Sequence, residues 1–278
     1  MPSVKLSSST DNHQHHLHYQ EAGSGKPVIL IHGWPLTSIM WEYQIDHLVQ
    51  NGFRVITYDR RGFGESCRPW GNYDYDTLTS DLNELITALN LSDVALVGFS
   101  MGGGEVVRYF SKFGGKGVTK AVLISSITPY MLKTPDNPDG VPQEMFDKML
   151  AAMKEDRIAF LDDFGETFFG VTLLNNNISD QSLNYYLNVC SQASPHATIE
   201  CAKSFSSTDF RSEMSSVNVP TLIIHGDKDE TVPIKPTALE ATKVIKNNKL
   251  IVYEGEPHGI WFTQKERLSK DLVTFLMS

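Results

Sequence analysis

Short runs of aliphatic and β-branched residues alternate along much of the chain with stretches in which apolar positions recur every three or four residues. Val28–Ile31, Phe53–Tyr58, Val94–Val97, Val118–Ser125, the run that begins at Thr221, and Lys249–Tyr253 read as strands, most of them too uniformly apolar to face water on one side. Trp41–Gln50 and Tyr75–Leu89 carry helical periodicity, as does the segment that starts at Met101 or Gly102 and stops at Gly114-Gly115. Strand followed by helix, repeated, predicts an α/β fold with a mostly parallel sheet flanked by helices. Ahead of these units, residues 11–21 alternate with period two. They predict a polar edge strand with Leu17 and Tyr19 on one face, ending in a turn at Gly23–Pro27.

The alternation breaks at Thr128-Pro129 and again over Thr134–Pro142, and no strand is evident until Thr221. Within the gap, Phe146, Met149, Leu150 and Met153 share a helical face. Phe160, Phe164, Phe168 and Phe169 follow, then Leu183, Tyr186 and Leu187. The expected organisation is a core of residues 1–127 and 219–278, interrupted by a helical cap of residues 128–218. Stripes of Met and Phe are what any packed core needs, so by themselves they do not mark a binding pocket.

A length of 278 residues suits one large α/β domain with such an insertion. The net charge of −9, with acids and bases interspersed, argues against nucleic acid and against an anionic membrane surface as partners. Cys67, Cys190 and Cys201 are an odd set at unrelated spacings, which fits neither a disulfide framework nor a zinc site. Residues 1–10 lack the apolar stretch of a secretory signal and no later run approaches a membrane span, so a cytoplasmic location is expected. The sequons at Asn90 and Asn177 carry weight only in a secreted protein. His13, His15, His16 and His18 invite a metal-site reading. Their period-two setting and the lack of any further ligand cluster favour a polar strand instead, and no metal is expected. Gly62 and Gly64 complete neither a dinucleotide-binding nor a phosphate-cradling pattern, so the loop Asp59–Ser66 is assigned a structural role and no cofactor is implied.

The chemistry centres on Gly98-Phe99-Ser100-Met101-Gly102, which follows the strand Val94–Val97 and opens a helix. A strand-to-helix elbow of this spacing holds a serine in a strained turn with its hydroxyl outward, whereas an ordinary loop would only use Ser100 as a helix cap. A serine hydroxyl attacks carbonyls poorly until an imidazole removes its proton, and the imidazole needs a carboxylate to fix its tautomer. Both occur downstream in the order acid then histidine. The strand after Thr221 runs into Asp227-Lys228-Asp229, and the strand Lys249–Tyr253 precedes His258. Of nine histidines, only His225 and His258 lie near or beyond the candidate acids. His225 is set aside as too close in sequence to reach round easily, which makes His258 the base.

His32-Gly33-Trp34-Pro35-Leu36, Tyr58–Ser66, Gly98–Glu105 and Gly226–Pro233 together resemble the α/β-hydrolases and, more narrowly, the cofactor-free haloperoxidase (perhydrolase) and aryl esterase family, over nearly the whole chain. The resemblance implies Asp229, just before x-x-Val-Pro, as the acid, with Asp227 bracing the turn. It places an oxyanion hole at the backbone N–H groups of Trp34 and Met101, since Pro35 has none to give. It also implies an apolar pocket under the cap, drawn from Phe146, Met149, Phe164 and Phe168. The function it implies is a Ser100–Asp229–His258 serine esterase cleaving small, aryl or short-acyl esters. Hydrogen peroxide as a second acyl acceptor is suggested by Trp34-Pro35. A lactonase or amidase using the same parts, and a hydrolase-like ligand receptor with little turnover, are the alternatives. A homo-oligomer is compatible with all of them. A carboxylate nucleophile, as epoxide hydrolases and haloalkane dehalogenases need, is absent at position 100.

Overall fold

The computed structural model describes residues 2–9, 14–172 and 178–278. Eight strands form one sheet: β1 (Ser3–Lys5), β2 (His16–Gly23), β3 (Lys26–Ile31), β4 (Phe53–Tyr58), β5 (Val94–Phe99), β6 (Val118–Ile124), β7 (Thr221–Gly226) and β8 (Asn248–Tyr253). They lie in the order β1-β2-β4-β3-β5-β6-β7-β8, antiparallel at β1/β2 and β2/β4 and parallel from β4 onward. The expected polar edge strand therefore needs correction. Residues 16–23 are not the edge, because β1 pairs outside them, and His18 as well as Leu17 is buried. His13 and Asn177 lie outside the described residues.

The parallel strands carry apolar residues on both faces because helices cover both. Ile29, Leu96, Leu123 and Ile223 point into one apolar cluster, and their neighbours Leu30, Val97, Val122 and Leu222 into the other. The first cluster also takes side chains of α2 (Tyr75–Ala88), α3 (Met101–Phe113) and α8 (Ala238–Val244). The second takes those of α1 (Glu42–Gln50), α9 (Ile260–Thr263) and α10 (Lys265–Met277). Among the described residues, four α-helices run between β6 and β7, α4 (Gln143–Glu155), α5 (Arg157–Phe169), α6 (Asp180–Ser191) and α7 (Pro195–Ser207), followed by a short 3-10 helix at Met214–Ser216. Among the described residues this interval holds isolated bridges but no strand.

The inserted helices are tied to the sheet's C-terminal edge at several points. The indole N–H of Trp34 donates to the Thr198 carbonyl of α7 at 2.9 Å, and the N–H of Ser194 donates to the Gly62 carbonyl at 2.8 Å. At the end of α5, the Phe168 carbonyl accepts the N–H of Gly259 at 2.8 Å.

Candidate active site

The turn after β5 is forced by its glycines. A Cβ on Gly98 would lie 2.5 Å from the Gly102 carbonyl oxygen, and one on Gly102 would lie 2.7 Å from that of Ile31, so only glycine lets α3 start this close to the sheet. Between them Ser100 is held at φ 53°, ψ −119°, a conformation that costs a non-glycine residue of order 1–3 kcal/mol. Its N–H still reaches back to Ile124 of β6 at 2.8 Å, which anchors the apex to the neighbouring strand.

The hydroxyl of Ser100 lies 3.0 Å from Nε2 of His258, and Nδ1 of His258 lies 2.6 Å from Oδ2 of Asp229. A carboxylate can only accept, so Nδ1 carries the hydrogen and Nε2 presents its lone pair to the serine. His258 is buried between the Phe99 ring at 4.9 Å and the Phe168 ring at 4.7 Å, and it is seated by the Gly259 N–H bond to α5.

Oδ1 of Asp229 accepts the N–H groups of Thr231 at 3.0 Å and Val232 at 2.7 Å. Burial would raise this carboxyl, but His258 and His225 overcome it and hold it at about 2. Asp227 instead accepts the N–H of Gly255 at 2.6 Å, in the turn after β8. His225, set aside on spacing, lies against the acid, its Nε2 3.2 Å from Asp229 Oδ2.

A folded value below that of an unfolded aspartate, near 4, means that Asp229 adds stability above about pH 4 and loses it as the pH falls toward 2. The gap in unfolding free energy between the wild type and Asp229→Asn should therefore narrow by about 2 kcal/mol between pH 5 and pH 2, as read by urea unfolding at each pH. A gap that does not change with pH would contradict the assignment.

Among the described residues, the backbone N–H groups of Trp34 and Met101 donate to no protein acceptor; Trp34 and Ser100, the residue before Met101, line a cavity of about 190 Å³. Ser100, Trp34, Phe146, Met149 and Phe164 line this cavity. So do Ile127, Met131, Phe160 and Phe205, and its polar wall is Thr167, Glu230 and Thr231. Phe168 is the exception to the expected pocket: one turn on from Phe164, it lies against His258 and lines a neighbouring cleft between α5 and α6.

The loop that carries Trp34 rests on a buried polar network. Glu105 of α3 accepts Arg60 Nε at 2.7 Å and the Tyr58 hydroxyl at 2.5 Å, and Arg60 Nη2 donates to the His32 carbonyl at 2.7 Å. The His32 ring accepts the Arg60 N–H through Nε2 at 2.9 Å, and its Nδ1–H donates to the Gly33 carbonyl at 2.8 Å. Burial and the Arg60 charge push its pKa well below the ordinary imidazole value, so the ring stays neutral. Asp59 accepts the N–H groups of Ser38 and Glu65, which gives the Asp59–Ser66 loop its bracing role. The sequence motif contained Arg60 and Glu105, but their pairing could not be read from a separation of 45 residues.

A serine–imidazole–carboxylate relay at the C-terminal edge of a parallel sheet defines an α/β-hydrolase, and the chain belongs to that family, whose alpha/beta hydrolase fold matches residues 26–264. More narrowly, it is 39% identical over 279 residues to a non-heme haloperoxidase of Rhodococcus erythropolis, covering 100% of both chains. It is 36% identical over 254 residues to a bifunctional esterase/perhydrolase of Acinetobacter calcoaceticus, covering 91% of this chain and 92% of that one. Among solved structures, a bromoperoxidase from Bacillus anthracis superposes with a TM-score of 0.95 at 42% identity, covering 100% of this chain and 99% of the other. An esterase from Exiguobacterium antarcticum superposes with a TM-score of 0.93 at 33% identity, covering 99% of each.

Proposed function

We propose that the protein is a serine carboxylesterase for small uncharged esters that also transfers the acyl group to hydrogen peroxide. The observation that carries this reading is the unbroken relay Ser100 Oγ to His258 Nε2 at 3.0 Å and His258 Nδ1 to Asp229 Oδ2 at 2.6 Å, opening on an apolar cavity. In this reading His258 removes the Ser100 proton as Oγ attacks the ester carbonyl. Asp229 stabilises the imidazolium, and the N–H groups of Trp34 and Met101 hold the oxyanion. His258 then protonates the leaving alcohol. Water, deprotonated by His258, releases the acid. Hydrogen peroxide in the same place releases a peracid, which oxidises halide in solution. The relatives named as haloperoxidase and as esterase/perhydrolase support this pairing of activities.

Residues 128–218 would serve as the cap that supplies the apolar wall, over a core of residues 1–127 and 219–278. Among the described residues the cavity wall carries Glu230 and no cation, which fits uncharged acyl groups better than carboxylate-bearing ones. Cys67, Cys190 and Cys201 are free thiols, in keeping with a reducing, cytoplasmic setting. Among the described residues no helix is long and apolar enough to cross a membrane.

The test is rapid mixing with excess p-nitrophenyl acetate, which should give a stoichiometric burst of p-nitrophenol. Added hydrogen peroxide should raise the steady rate and produce an oxidant that brominates a dye only while an acyl donor is present. Bromination that persists without any acyl donor would sink the peracid route.

A further inference from the structure

His225 is the last residue before the glycine that ends β7 and has no exposed surface. Its Nε2 lies 2.8 Å from the Val232 carbonyl oxygen and 3.2 Å from Asp229 Oδ2. Both oxygens can only accept, so Nε2 bears the hydrogen and shares it between them. In that neutral tautomer Nδ1 is a bare acceptor, and among the described residues it is buried with no partner. An orphaned buried nitrogen is a cost, and a hydrocarbon ring would fill the space without it. The feature of the imidazole that its surroundings use is therefore the Nε2–H.

We propose that His225 is a positioning residue for Asp229, a reading that rests on the esterase function above. Oδ2 of Asp229 takes one donor from each histidine, and Oδ1 takes the N–H groups of Thr231 and Val232. Val232 thus donates to the carboxylate with its N–H while its carbonyl accepts from His225, and the imidazole closes the loop 229–232 on itself. The carboxylate plane is fixed from both sides.

The arrangement also governs where the proton rests during turnover. When His258 takes the Ser100 proton, the imidazolium faces a carboxylate whose proton affinity the second N–H has lowered, so the proton stays on His258 for delivery to the leaving group. The ionisable groups that act on Asp229 are His258 from the β8–α9 loop and His225 from β7. Asp227 and Glu256 nearby are engaged elsewhere, Asp227 by the N–H of Gly255 and Glu256 by Thr263 and Gln264.

The test compares His225→Leu, which removes the donor, with His225→Gln, whose amide N–H sits at a similar reach. Two readouts are followed against pH: kcat/KM for p-nitrophenyl acetate, and the rate at which a fluorophosphonate labels Ser100, which requires the serine and its base but no particular ester. Leucine is expected to make Asp229 more basic and so move the acidic limb of both profiles to higher pH. It should also lower kcat by about tenfold, the loss of one hydrogen bond to a charged group, with KM little changed. Glutamine should restore both. Equal losses in the two variants with an unmoved limb would reduce His225 to packing and overturn the proposal. A wild type that takes no label would overturn the esterase reading itself, and this proposal with it. Should the leucine variant not fold, nitrogen-15 histidine spectra of the wild type decide: the His225 ring is expected to carry its hydrogen on Nε2, shared with the Val232 carbonyl and Asp229, and a hydrogen on Nδ1 alone overturns it.

Discussion

Replacing Ser100 by alanine is expected to lower the turnover of p-nitrophenyl acetate by about 10⁴–10⁶-fold and to remove the burst, with the fold left intact. The substitution keeps the Cβ and the same strained backbone at φ 53° and removes a hydroxyl whose described partner is Nε2 of His258. The midpoint of thermal unfolding should therefore hardly move, and the loss can be assigned to chemistry. A remnant above the uncatalysed rate is expected, because Trp34 and Met101 would still offer their N–H groups to water attack. Wild-type turnover in the alanine variant would rule out an acyl-enzyme at this serine.

The largest effect on stability is expected at Glu105. Arg60 and Glu105 are 1% and 0% exposed, and Glu105→Gln would leave the guanidinium buried without its counter-charge. Breaking a buried pair from one side costs about 3–5 kcal/mol, which for a chain of this size lowers the unfolding midpoint by roughly 10 °C. The double variant Arg60→Met, Glu105→Leu should be less destabilised than either single change, because no charge is then stranded. Scanning calorimetry of Glu105→Gln, Arg60→Met and the double variant checks this. A loss below about 1 kcal/mol in Glu105→Gln would mean that water reaches the guanidinium. Activity should fall as well in the folded fraction, since Arg60 holds the His32 carbonyl from which the Trp34 loop departs.

The sheet was legible where burial on both faces makes a strand a continuous apolar run, as in Val28–Ile31, Phe53–Tyr58 and Val94–Val97. It was not legible in β1, where three residues, Ser3 to Lys5, are too few to show a period and form a strand by pairing with β2. Nor was α7 evident: its Ser, Thr and Lys content hides the buried positions Ala197, Cys201 and Phe205, and Pro195 at its first turn reads as a break as easily as a start. The serine, the acid-bearing loop and the histidine could be proposed from motif order because this fold sets the order in which they appear along the chain, while the choice of Asp229 over Asp227 came from the resemblance. His225 escaped because sequence distance measures reach only along an extended chain. Here Asp229 donates its N–H to Gly226 at 3.4 Å in a tight turn, and the carboxylate folds back over the strand end. Phe168 was named among the pocket residues, but its place against His258 was not legible for a related reason. Four residues along a helix keep Phe164 and Phe168 on roughly one face, and only tertiary packing decides that one meets the cavity and the other the imidazole.

The hydrogen bond from Gly259 to the Phe168 carbonyl means that the inserted helices and the loop that carries His258 are not separate modules. Exchanging these helices for those of a relative, as one would to graft a new substrate range, would also replace the acceptor and one of the rings that seat His258. A graft that keeps the last turn of α5 should preserve the rate constant for acylation, while one that omits it would change scope and speed together.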